Sequence, residues 1–284
     1  MKQAPTFLFI VVALLLVVPL AQASDGALEI HQACVATGCF PGDGPGFPVT
    51  LAAPGSYLLT SNLTVPDENT TAIDVTSDGS VSIDLGGFVI QGVTSCTGNP
   101  VACSPTGTGR GITANPNTRT SVSHGAVRGM GNTAINLGPG IISDLTIESN
   151  GNGGISAVSA IVQRNRVTAN GTFGISNGGG LIIENQVTGN GGTGISGTVG
   201  PMVRNNRVRN NGGASNSPGI RTVDGHVVGN LIQLNSSVGL QADGSTVYGD
   251  NVLRSNNLPA NPANQVAGSG TQIGPNSCQG APCP

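Results

Sequence analysis

Apolar residues in this chain come in pieces of two or three, separated by Gly, Asn and Ser, and the pieces recur at a fixed spacing. Gly154-Ile155-Ser156 returns as Gly174-Ile175-Ser176 and Gly194-Ile195-Ser196, twenty residues apart each time. Gly219-Ile220-Arg221 and Gly239-Leu240-Gln241 continue the series after one longer unit. A second marker runs in parallel through Val127, Ile147, Val167, Val187, Val208, Ile232 and Leu253. Three residues after each of the last six stands an asparagine: Asn150, Asn170, Asn190, Asn211, Asn235 and Asn256. Pieces this short cannot nucleate helices, but they suffice for strands that pair with the coil above and below. Self-similarity at such a period predicts a solenoid.

Within each unit the marker apolar residue points inward and its two neighbours point outward, as strand geometry requires. Asparagine is expected at the corners because it tolerates the left-handed backbone of sharp turns, and stacked amides can hydrogen-bond along a column. Two other solenoids are set aside. Ile142-x-x-Leu145-x-Ile147-x-x-Asn150 fits a leucine-rich repeat, but the place of Leu145 becomes Asn165, Asn185, Asn206, Asn230 and Asn251 in later units. A core position is not expected to be Asn so often. A left-handed helix of hexapeptides needs a period of six, and twenty is not a multiple of it.

The run Gly-Ile…Asn-x-Val-x-x-Asn resembles the repeat of the right-handed parallel β-helix superfamily, which includes pectate-lyase-like enzymes. The resemblance spans residues 72–262. It implies an all-β, single-stranded solenoid of about 8 coils of roughly 20–25 residues. It implies no particular activity, since one fold hosts many functions. The organisation expected is a signal peptide over 1–23, an N-terminal cap and first coil over 24–71, the repeats over 72–262 and a C-terminal tail or cap over 263–284. An insertion over 93–109, pinned by Cys96 and Cys103, is expected to project from one face.

Lys2, the apolar run Phe7 to Val18 and Ala21-Gln22-Ala23 read as an export signal cleaved after Ala23, with a secreted or periplasmic destination. The apolar run is shorter than the roughly 20 residues that span a bilayer, so an integral membrane protein is not expected. Without Lys2 the chain has ten arginines against fourteen acids, a formal charge of −4. That mild acidity argues against a nucleic-acid partner, which calls for a basic face. Six cysteines fall in close pairs, Cys34 with Cys39, Cys96 with Cys103 and Cys278 with Cys283. In an exported chain such pairs read as disulfides. A zinc site is the rival reading, but the pairs lie far apart and only His31 is near one. No metal and no cofactor is expected.

A twenty-residue period stacks equivalent side chains about 4.8 Å apart. One column then reads His124, Asp144, Arg164, Glu184 and, across a unit with an extra residue, Arg204. Beside it run Arg166, Gln186 and Arg207, then Arg128, Glu148, Thr168, Thr188 and Arg209. Arg128, Arg164, Arg166, Arg204, Arg207 and Arg209 are thus candidate binding residues for an acidic polysaccharide, through bidentate guanidinium–carboxylate pairs. The same charges also suit a solvated ladder with no site. His124, Asp144 and Glu184 are the candidate catalytic groups.

Enzyme motifs of the resembling families are incomplete. Calcium-dependent pectate lyases gather carboxylates on one metal, whereas here acids alternate with bases. Polygalacturonase-like hydrolases use an adjacent Asp pair, Gly-His-Gly and Arg-Ile-Lys, and this chain offers Ser123-His124-Gly125 alone. Asp144 and Glu184, two coils or about 9.6 Å apart, could suit an inverting pair, but Arg164 lies between them. The first expectation is therefore a non-catalytic interaction or structural role outside the cytoplasm. The alternative is a lyase, hydrolase or epimerase acting on an acidic polysaccharide. Oligomeric state is not legible.

Overall fold

A computed structural model describes residues 26–213, 217–257, 265–279 and 281–283. The expected signal peptide lies outside these residues. The chain is a right-handed parallel β-helix with three faces. Ten strands make the first face, from Val49–Leu51 through Ile155–Val158, Ile175–Gly178 and Ile195–Thr198 to Val266–Ala267. The second face includes Ile161–Gln163, Leu181–Ile183 and Met202–Arg204, and the third Arg166–Thr168, Gln186–Thr188 and Arg207–Arg209. The long strands Thr120–Arg128 and Ile141–Glu148 bend around the corner between these two faces and join them into one sheet. Among the described residues the first face thus counts ten rungs rather than about eight. The surplus lies at the ends, outside residues 72–262: Val49–Leu51 already pairs with Ile73–Val75, and Val266–Ala267 still pairs with Leu240–Asp243.

The register follows the repeat. Ile135, Ile155, Ile175, Ile195, Ile220 and Leu240 stack on the first face, and Ile147, Val167, Val187, Val208, Ile232 and Leu253 stack on the third. All are fully buried. Glycine of the Gly-Ile marker is required by close approach. A Cβ on Gly174 would run into Val187 Cγ1 and stand 2.6 Å from the carbonyl oxygen of Gly194 in the next rung.

Asparagine plays a different part from the one its turn propensity suggests. At each corner of the third face that carries a regularly spaced asparagine, the left-handed residue is the one before it: Arg164 before Asn165, Glu184 before Asn185, Ala169 before Asn170, Leu234 before Asn235. The asparagine itself turns inward. Asn165, Asn185, Asn206, Asn230 and Asn251 form one buried column and Asn150, Asn170, Asn190, Asn211, Asn235 and Asn256 another. After the first asparagine of each column, each Oδ1 accepts from the backbone N–H and the side-chain amide of the asparagine one rung earlier, as Asn185 does from Asn165 at 3.0 Å and 3.0 Å. The leucine-rich repeat is excluded by the winding, not by the argument from Asn. The place of Leu145 is a core position, and amides occupy it because their neighbours satisfy them.

The three disulfides Cys34–Cys39, Cys96–Cys103 and Cys278–Cys283 are formed, with Cα separations of 4.6, 4.0 and 4.8 Å. Among the described residues, no helix is long and apolar enough to cross a membrane.

Candidate polyanion-binding groove

The third face and its two corners hold nearly all the candidate residues. Its outward positions come from alternation along three-residue strands: Val167, Val187 and Val208 point in, so Arg166, Gln186 and Arg207 form one outward column and Thr168, Thr188 and Arg209 the other. Arg128 and Glu148 continue the second column toward the N-terminus, in register with Thr168. The neighbouring columns expected from spacing are thus real columns.

Arg166, Thr168, Gln186, Thr188, Arg207 and Arg209 line a cavity of about 230 Å3. Among the described residues, Arg166, Arg207 and Arg209 have no carboxylate within ion-pair distance. Arg209 Nε is also buried without a hydrogen-bond partner. Guanidinium groups without carboxylate partners around one cavity, with threonine hydroxyls and an amide between them, offer the donors that a carboxylate or a similar oxyanion accepts from.

The corner between the second and third faces differs. His124, Asp144, Arg164 and Glu184 stand there in succession, all in the left-handed region. Asp144 and Arg164 spend their charges on each other. Arg164 donates from Nε and Nη2 to the two oxygens of Asp144, both at 2.8 Å. This hydrogen bonding holds the Asp144 carboxyl below its ordinary range and the Arg164 guanidinium above its own, with Glu184 adding to the latter. His124 Nδ1 lies 3.2 Å from Asp84 Oδ2, a partner on the preceding rung. Arg128 Nη1 lies 3.5 Å from Glu148 Oε1. Arg204 is not in this column. It pairs with Ile183 on the second face, and Asn205 takes the corner place after Glu184, itself at φ 55°. The extra residue of that unit lies in the Val199-Gly200-Pro201 corner, since Thr198 still pairs with Gly178 while Met202 pairs with Leu181.

Sequence reasoning missed Asp84. It pairs with Ser123 in a rung of 39 residues, and the 93–109 insertion within that rung hides the register. The insertion is an antiparallel hairpin, Ser95–Thr97 with Ala102–Ser104. It lies lengthwise along the far edge of the third face, at the corner leading to the first. Both sulfurs of Cys96–Cys103 sit 3.7 Å from the Asn150 carbonyl oxygen, and a Cβ on Gly213, several rungs on, would stand 3.1 Å from Pro100. The hairpin therefore does not overhang the His124–Glu184 corner. It walls the opposite side of the arginine floor.

The second face is unlike the third. Ile141, Ile161 and Met202 point outward from it and are 37–40 % exposed.

Fold and site together define a right-handed parallel β-helix with an arginine-floored groove on one face. No protein family is matched by the chain, and no curated protein is. Among solved structures it is similar to two A-modules of mannuronan C-5 epimerases from Azotobacter vinelandii. For AlgE6 the identity is 16% and the TM-score 0.45, over 80% of this chain and 71% of that one. For AlgE4 the values are 14% and 0.43, over 89% and 94%. Geobacillus virus E2 ORF18 is more distant, at 12% identity and a TM-score of 0.32 over 86% of this chain and 56% of that one. At such distances no residue role is transferred.

Proposed function

We propose that this chain is an exported, non-catalytic binding protein that holds an acidic polysaccharide on its third face. The observation that carries the reading is the convergence on one cavity of Arg166, Arg207 and Arg209, which pair with no carboxylate among the described residues. The corner acids support the non-catalytic side: Asp144 is held bidentate by Arg164, and that same arginine stands between Asp144 and Glu184 in the column. Three disulfides favour an oxidising compartment outside the cytoplasm.

Binding of hyaluronan and polygalacturonate, with dextran as neutral control, tests the reading. The two acidic polymers should bind, dextran should not, and rising salt should weaken binding. Each charge-assisted hydrogen bond contributes about 1.5–3 kcal/mol, so the triple variant Arg166→Ala/Arg207→Ala/Arg209→Ala should lose at least tenfold in affinity. Equal binding of dextran, or unchanged binding by the triple variant, refutes the groove. Unsaturated ends or new reducing ends released by the wild type refute the non-catalytic role.

A further inference from the structure

The arginine cavity has a neighbour of opposite character. Where the chain leaves the third face, Asn210 follows Arg209 in the left-handed conformation, φ 53°, and turns the corner toward the hairpin. Arg209 lines the cavity of about 230 Å3, and Asn210 lines a second, of about 360 Å3, beneath the hairpin tip. The two cavities thus share a rim one residue wide.

The lining of the second cavity includes Asn99, Pro100, Asn210, Leu234, Ser236 and Ser255, and none of its lining residues is charged. Leu234 is the unexpected member. It occupies the same left-handed column as Ala169, Asn210 and Ser255, at φ 58°, and is 43% exposed. A left-handed backbone costs a residue with a Cβ about 1–2 kcal/mol, and an exposed leucine gains nothing from water in return. Leu234 and Pro100 give the cavity an apolar wall, and amides and hydroxyls stand around it. An apolar wall that meets C–H groups, with a few polar groups that meet hydroxyls, is the composition of a site for a neutral polar ring.

Taking as given that the arginine cavity holds an acidic sugar, we infer that the cavity under the hairpin holds a neutral sugar of the same strand. The ligand is then a polysaccharide in which acidic and neutral units alternate, rather than a homopolymer of uronate. The hairpin sets this preference through Asn99 and Pro100.

Calorimetry with three hexasaccharides tests this: hyaluronan (uronate alternating with an N-acetylated amino sugar), oligogalacturonate and chitohexaose. Hyaluronan should bind at least tenfold more tightly than oligogalacturonate. Leu234→Asn places a residue at home in a left-handed corner, so the fold is kept while the apolar wall is lost. Combined with Asn99→Ala, it should lower hyaluronan affinity to the level of oligogalacturonate and leave the latter unchanged. Arg166→Ala/Arg207→Ala should weaken both acidic ligands. If oligogalacturonate equals hyaluronan in the wild type, or the Leu234 and Asn99 changes leave hyaluronan binding intact, this inference falls and the acidic-polysaccharide reading stands. If neither acidic hexasaccharide binds, both fall.

Discussion

Replacing Asn185 by alanine puts the buried amide column to a quantitative test. Its Oδ1 accepts from the Asn165 backbone N–H and the Asn165 side-chain amide, each at 3.0 Å. Its Nδ2 donates to Val162 O at 2.9 Å, Ile183 O at 3.0 Å and Asn206 Oδ1 at 3.0 Å. Alanine leaves two donors of Asn165 without an acceptor in a site that water does not reach. Each buried group left unsatisfied costs about 1–3 kcal/mol, so the loss is about 2–6 kcal/mol before any cavity term. At the start of the same column the arithmetic is smaller. Asn165 Oδ1 accepts from the Leu145 N–H, at 3.1 Å, and Asn165→Ala orphans that single donor, for about 1–3 kcal/mol. Arg166→Ala, outward on the adjoining strand, should stay within about 0.5 kcal/mol of wild type. Urea unfolding followed by circular dichroism gives the three differences, and hydrogen exchange reads the Asn165 amide directly. Should Asn185→Ala prove no more costly than Asn165→Ala, or than Arg166→Ala, the amides are space-fillers and the reasoning is wrong.

Other consequences are simpler. Gly174→Ala drives a methyl group toward Val187 and the Gly194 carbonyl and should destabilise the chain by about 1–3 kcal/mol, read by the same unfolding curves. In Arg164→Ala the Asp144 carboxyl loses the hydrogen bonds that lower it, so its titration, followed by carboxyl carbon NMR, should move to higher pH. Because that pKa is depressed in the folded state, the pair helps wild type above the ordinary carboxylate range, and the help fades as pH falls through the folded value. Arg164→Ala should therefore match wild type most closely in acid. Cys96→Ser/Cys103→Ser should open the hairpin to proteolysis near Asn99 while the unfolding midpoint of the rungs stays put, because the two hairpin strands pair only with each other and not with the rungs.

The winding was legible because Gly-Ile and the Val/Ile/Leu marker report the two best-ordered inward columns, and the period carries them from rung to rung. The amide columns were visible as spacing but not as core, since a polar side chain inside is acceptable only when its stacked copies are known to lie within reach. The arginine columns at 166 and 209 were legible for the same reason as the marker: they are its immediate neighbours on a strand. Arg204 was misplaced because nothing in the spacing tells which corner absorbs an additional residue. Leu234, Pro100 and the cavity they share were not legible at all, because that juxtaposition depends on a hairpin reaching across rungs more than a hundred residues later in the chain.

The two asparagine columns have one more consequence. Each amide presents the same acceptor downward and the same donors upward, so a whole twenty-residue block can be inserted or deleted with its neighbours meeting an unchanged surface. Length is then a quantity that gene duplication can adjust without redesigning the cross-section. Such an event would lengthen or shorten the track for a polymer by about 4.8 Å at a step, turning the molecule into a ruler whose graduations are amides.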